Sequence, residues 1–228
     1  MRNSLILLVG LYLIVPAACR ADESTELKQL RADLKSGEAV KKRKAVKQIN
    51  EMGTAAKSMA PDLINLLDRD RDVLVRRGAA EALGTVGGET KSTIAALARA
   101  MNDNDLEVIS VASISLSKLG KQAVPSLREG LADKDNQVRR HAAEALAKIG
   151  PDAKDAVTDL LKAYEAEGTK TKQRGNNSVK ASYVEALGAI GPDAKEAIPV
   201  FEAYLAEKKG QDRELRRVMT EAMRKIKK

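Results

Sequence analysis

The chain has 228 residues, enough for one ordinary domain or a short repeat array. Aromatic residues make up only 2% and tryptophan is absent, which argues against a single thick core and favours thin helical layers packed by alanine and leucine. The formal charge of +8 comes from 40 basic and 32 acidic residues, a mildly basic and well-mixed balance, and the single cysteine excludes a disulfide framework within the chain.

Residues 1–21 read as an export signal. Arg2 supplies a positive start, and LILLVGLYLIV (5–15) is an apolar run of 11 residues, well short of the ~20 that a membrane-spanning helix needs. PAACRA follows with the small residues that a signal peptidase requires. VPAAC resembles a bacterial lipoprotein box, with Pro16 standing where that motif prefers leucine. Two outcomes are open: acylation of Cys19, which then becomes the mature N-terminus, or ordinary cleavage after Ala18 or Ala21. In both cases the chain is expected to be exported, periplasmic or extracellular, with a lipid on Cys19 as its only expected membrane attachment. The segment carries Arg2 and Arg20 but no acid, so the remainder stays basic.

Residues 22–228 form the second region. STELKQLRADLK (24–35) places Leu27, Leu30 and Leu34 on one helical face. From there the sequence repeats itself. VRRGAAEALGTVG (75–87), VRRHAAEALAKIG (138–150) and VKASYVEALGAIG (179–191) are near copies. KKRKAVKQINEMG (41–53), VISVASISLSKLG (108–120) and LRRVMTEAMRKIK (215–227) are weaker ones. Gly53, Gly87, Gly120, Gly150 and Gly191 follow one another at 34, 33, 30 and 41 residues, a period that indicates a solenoid.

Counting the first residue of each copy as zero, apolar residues fall at 0, 4, 7, 8 and 11, a single helical stripe. Each such helix is expected to end at its glycine, which tolerates a left-handed cap. Each is expected to begin near Asp72, Asp105, Asp135, Asn176 or Asp212, whose side chains can accept from the free amides of a first turn. A second helix fills the rest of each repeat, with Pro61, Pro125 and Pro199 near its start, where a missing amide costs least. The repeat bounds are approximately 24–53, 54–87, 88–120, 121–150, 151–191 and 192–228.

The pattern x-x-V-R-R-x-A-A-E-A-L-x-x-(V/I)-G followed by G-P-D-A-K-x-A-(I/V)-P resembles the HEAT repeat, especially the short type of the phycobilin-lyase-like HEAT proteins. The resemblance covers residues 24–228. It implies an all-α, right-handed α-α superhelix of about six helix pairs, with the V-R-R helices lining a concave face and their partners forming the convex back. The implied function is a binding scaffold, since such repeats serve many partners.

At 100° per residue, positions +2, +5, +6 and +9 point away from the apolar stripe. The candidate partner-binding residues are therefore Arg43, Arg77, Glu81, Arg140, Glu144, Arg217 and Glu221, set among small residues such as Ala80, Gly84, Ala143 and Ala147. The competing reading makes Arg at +2 and Glu at +6 ordinary i,i+4 pairs on a solvated face, contributing about 0.2–0.5 kcal/mol each. Arg76, Arg139 and Arg216 at +1 lie at the stripe's edge, where they can reach the Asp-rich turn of their own or a neighbouring repeat, with Asp70 and Asp72, or Asp133 and Asp135, as expected acceptors. The insertion TKTKQRGNNS between Tyr164 and Val179 offers Lys170, Lys172 and Arg174 as loop contacts, or is a solvated basic loop. In the third copy Val108, Ile109 and Ser110 replace V-R-R, leaving either a less charged patch in mid-groove or a degenerate copy.

Three function classes follow. Some HEAT-like proteins are hydroxylases with a di-iron site built from repeated His-Glu pairs. Here the only histidine, His141, is followed by Ala142, so that site cannot be assembled. No nucleophile elbow, phosphate-binding glycine loop or zinc-protease motif occurs, and no catalytic residue, metal or cofactor is expected. Nucleic acid is disfavoured because Glu alternates with Arg along the face and stacking platforms are nearly absent. A non-catalytic scaffold for a protein or peptide is preferred. Its alternatives are an enzyme or accessory related to chromophore lyases, and a binder of an anionic polymer or nucleic acid.

Overall fold

The computed structural model describes the backbone of residues 17–87, 90–169, 176–206 and 212–228. Among these residues every regular element is helical. Six outer helices, α1 (Ala17–Leu34), α3 (Ala60–Arg69), α5 (Thr90–Ala100), α7 (Val124–Gly130), α9 (Val157–Thr169) and α11 (Ile198–Ala206), alternate with six inner ones. The inner helices are α2 (Ala39–Met52), α4 (Val73–Val86), α6 (Leu106–Lys118), α8 (Asn136–Ile149), α10 (Asn176–Ile190) and α12 (Arg213–Ile226). α1 starts seven residues before the expected helix at 24–35, because nothing in AACRADES breaks a helix. The apolar part of the export signal, 5–15, lies outside the described residues.

Local chemistry explains each boundary. Asp72, Asp105 and Asp212 each accept from two amides of the turn they start, and Asp135 accepts from one. α2 begins behind Glu38, whose side chain makes no cap bond. All five periodic glycines have positive φ. Gly87 is a left-handed cap (φ 79°, ψ −22°), whereas Gly53 (φ 57°, ψ −134°) and Gly150 (φ 69°, ψ −134°) turn the chain into 3₁₀ helices at Gly53–Met59 and Gly150–Ala156. The second helix of the repeat therefore starts later than G-P-D-A-K-x-A suggests: that motif is itself the 3₁₀ turn, in both 150–156 and Gly191–Ala197.

One continuous core runs the length of the stack, from Leu30 and Leu34 to Met219 and Ile226. Each inner helix packs on its own outer helix and on its inner neighbours, two of them for α4, α6, α8 and α10 and one for the terminal α2 and α12, while the outer helices touch one another less. This corrects the expected face. Ala80 and Ala143, placed in the groove at +5 by the helical wheel, are fully buried. Gly84, at +9, is not groove paving either: a Cβ there would lie 2.6 Å from Ser115 Cβ. At the equivalent Gly188 it would lie 2.8 Å from the Ala222 backbone. An inner helix between two others contacts three neighbours, so its buried arc is wider than the stripe of a helix with one partner. Packing closer on the inner side than on the outer curves the stack and makes the inner face concave.

Gly188→Ala is expected to destabilise the chain by about 1–3 kcal/mol, because the helices must move apart at a backbone contact. Urea denaturation followed by circular dichroism measures this, and an unchanged midpoint would show that the close approach is not required.

Candidate functional site

The concave face presents positions +2, +6 and +10 of the inner helices, and each candidate residue has a definite place on it. Arg43 on α2 reaches across to the next repeat and donates from Nε to the cap residue Asp72 at 3.1 Å. Arg77 on α4 likewise crosses to Glu107 in the first turn of α6. Arg217 binds Glu214 of its own helix through Nε (3.0 Å) and Nη2 (2.5 Å), and Glu221 takes Arg224 at 2.8 Å. Only Arg140 and Glu144 meet as the i,i+4 pair that spacing suggests, at 3.7 Å. The i,i+4 reading is therefore overturned for Arg77 and Arg217. A cross-repeat carboxylate or one in the first turn offers a shorter reach than the glutamate four residues on.

Glu81 is exposed, with no ion pair among the described residues. Lys170, Lys172 and Arg174 lie outside the described residues, as does the side chain of Cys19.

His141 is buried on the edge of this face. Its Nδ1 lies 2.9 Å from Glu144 Oε2, and its Nε2 lies 3.2 Å from Arg140 Nη2. Since the guanidinium can only donate, Nε2 accepts and Nδ1–H donates to the carboxylate. Burial pushes the Glu144 carboxyl up, but the His141 hydrogen bond and the charges of Arg140 and Lys148 outweigh it and hold Glu144 below its ordinary value. Both ring nitrogens are thus engaged.

The +1 positions make a second row, along the edge where the turns lie. Lys42 bonds Asp70 at 2.6 Å, and Arg76 clasps Asp103 through Nε (2.8 Å) and Nη2 (2.9 Å) while donating to the Asp70 carbonyl. Arg139 meets Glu167 at 2.6 Å and donates to the carbonyls of Asp133 and Lys134. The expected turns are reached, with Asp70 and Asp133 accepting through their carbonyls, while the expected carboxylates of Asp72 and Asp135 are not used by Arg76 and Arg139. An arginine takes backbone carbonyls from its own turn and a carboxylate from the next repeat, whereas the carboxylates of Asp72 and Asp135 cap helices. Arg216 donates to the Leu205 carbonyl.

Lys180 stands over the Tyr164 ring, 4.9 Å from its centre, and burial lowers its pKa although the Glu167 charge opposes this. Tyr183 lies in the same region. Burial, helped by the Glu167 charge and opposed by Arg139, pushes its hydroxyl up to about 12. The third copy interrupts both rows: Ile109 is buried at +1, and Ile114 at +6 remains 37% exposed in the middle of the concave face.

Two hollows adjoin on this face. One, of about 430 Å³, is lined by Arg140, Glu144, Ala181, Ser182 and the start of α12. The other, of about 340 Å³, is lined by Ala147, Gly188, Ala189, Arg217, Glu221 and Ala222. Glu185 belongs to both. Selection by paired Arg and Glu passes over this residue because its +2 position is Ala181. The shared +6 column of Glu81, Glu144, Glu185 and Glu221 is the signal that finds it. No group of three or more His, Cys, Asp or Glu among the described residues could hold a metal ion.

The sequence matches the HEAT repeats family over residues 27–117 and 105–174. No curated protein matches the chain. Among solved structures, one reported as the structural basis of microtubule plus end tracking by XMAP215, CLIP-170 and EB1 is similar with TM-score 0.61, at 15% identity, covering 87% of this chain and 90% of that one. An engineered protein is similar with TM-score 0.55, at 21% identity, covering 89% and 96%. A computationally designed armadillo repeat protein for modular peptide recognition is similar with TM-score 0.50, at 17% identity, covering 87% and 98%. These likenesses show a shared repeat-solenoid fold.

The side chains of Arg139 and Glu167 are 7% and 1% exposed. Arg139→Ala is expected to cost about 3–5 kcal/mol by leaving a buried carboxylate without its cation, against at most about 1 kcal/mol for the exposed Arg217→Ala. Equal losses in denaturant titrations would show that the buried pair is not a structural rung.

Proposed function

Since the chain belongs to the HEAT repeat family, we propose that it is a non-catalytic scaffold that holds a segment of a partner protein in its concave groove across α8, α10 and α12. The observation that carries this reading is the pair of adjoining hollows that meet at Glu185. Their floor of Ala147, Ala181, Gly188 and Ala189 is low, so a peptide backbone can come close. The walls carry charges of both signs, which gives orientation and selectivity more than raw affinity. Most of these charges are already held by neighbours, so the surface needs no rearrangement before it binds.

His141 supports a non-catalytic role, because both its ring nitrogens are engaged by groups of its own helix. The design described as recognising peptides has a similar stack, which is support by fold analogy. The phycobilin-lyase-like character of the repeats is likewise a proposal resting on the G-P-D-A-K motif. We propose further that the chain is exported on residues 1–21, supported by the charged start, short apolar run and small residues of that segment.

A photoreactive residue placed at Ala189 is expected to crosslink the partner in intact cells, and one placed at Glu202 on the outer helix α11 is not. Crosslinks confined to Glu202 would move the site to the convex back and end the groove reading. For export, the mass of the mature protein recovered from a bacterial host is expected to place its N-terminus at Cys19 or Asp22. Protein retaining Met1 in the exported fraction would contradict it.

A further inference from the structure

We propose that the groove seats a cationic side chain, a lysine or arginine of the partner segment, against Glu185. The proposal rests on the scaffold reading above and names what that groove selects.

The argument comes from comparing one repeat with its siblings. The inner helices α2, α4, α8 and α12 carry an arginine at +2: Arg43, Arg77, Arg140 and Arg217. α10 has Ala181 there, yet keeps the glutamate at +6. The substitution removes a cation and a long side chain together. Glu185 is exposed, and among the described residues no cation stands within ion-pair distance of it. Of the nearby cations, Arg140 is held by His141 and Glu144 and Arg217 by Glu214 through two nitrogens, with Glu185 acting on Arg217 only as a more distant charge. Lys225 lines the smaller hollow and makes no ion pair with Glu185. The 430 Å³ hollow opens beside Ala181, where the missing side chain would otherwise lie. A carboxylate with no cation at ion-pair distance therefore borders a space suited to a long side chain, in a repeat whose siblings carry an arginine at +2.

Charge fixes the occupant's chemistry. A carboxylate at a partly enclosed site attracts a cation and disfavours an acidic side chain. The chain as a whole carries +8 and repels cations, so a preference for a basic segment must arise locally. An extended peptide suits the geometry: inner helices stand about 8–10 Å apart, so crossing α8, α10 and α12 takes about six extended residues. Its side chains alternate in direction, and one pointing inward at α10 meets Glu185.

The test uses the full chain and two fluorescent probe peptides, (Ala-Arg)₄ and (Ala-Glu)₄, in anisotropy titrations at fixed salt. The basic peptide is expected to bind more tightly. Glu185→Gln should weaken it about three- to fivefold, the range of one partly exposed ion pair. Ala181→Arg, which restores the repeat's own cation, should weaken it similarly while the helical circular dichroism signal is kept. Glu165→Gln on the outer helix α9 should leave binding unchanged. If Glu185→Gln or Ala181→Arg has no effect, or if the acidic peptide binds better, the cation seat is overturned. Should the acidic peptide bind and Arg77→Glu abolish it, the concave-face reading survives without the seat. Binding indifferent to every concave substitution would overturn both.

Discussion

The structure depends on the close approach of neighbouring inner helices, since no single repeat can bury its own apolar stripe. Position +9 of one helix faces position +7 of the next, and both are small where the contact is tightest: Gly84 on Ser115, and Gly188 on Ala222. The outer helices are not drawn together in the same way. A stack that is tighter on one side curves toward that side, so the concave face follows from residue size at two positions. Those same small residues keep the groove floor low. Core packing and a surface accessible to a partner backbone are here consequences of one choice of side chains.

Ion pairs add register to this packing. On the outer layer, Arg31 meets Asp62, Arg99 meets Asp68 and Arg128 meets Asp159, each about one repeat away in sequence. On the turn edge Lys42, Arg76 and Arg139 each reach a carboxylate of the following repeat. Exposed pairs of this kind contribute little individually. Their more telling effect is to discourage slippage, because a repeat moved out of register would leave the buried Arg139 or Glu167 without its partner, and that loss is large.

Much of the fold was legible in the sequence. The Gly53–Gly191 series marks where inner helices stop, and Asp72, Asp105, Asp135 and Asp212 mark where they start, because capping depends on residues only two or three positions away. The contents of the face were less legible. Wheel geometry assigned Ala80 and Ala143 to the groove because it assumes a helix with one buried side, whereas these helices have three neighbours. Spacing paired Arg77 with Glu81 and Arg217 with Glu221, but the structure pairs Arg77 with Glu107 and Arg217 with Glu214. Nothing within a thirteen-residue copy shows which carboxylate the next repeat will present. The cation–π stack of Lys180 on Tyr164 was hidden for the same reason.

In a repeat array, shared positions describe how the tiles fit together, so a specific surface has to come from departures. Ile109 and Ile114 depart by exchanging charge for apolar surface, which leaves no unpaired charge at those two positions. Ala181 departs differently: it removes a long cationic side chain from +2 while the carboxylate of Glu185 stays at +6. The first change is self-consistent and needs nothing added. The second leaves a residual field beside a space, and on the proposed reading a cationic side chain from outside the chain fills both together. On that reading the fifth repeat, built around α10, is where the groove acquires its selectivity, while QVRRHAAEALAKIG in the fourth, with Arg140, His141 and Glu144 paired among themselves, forms the wall beside it.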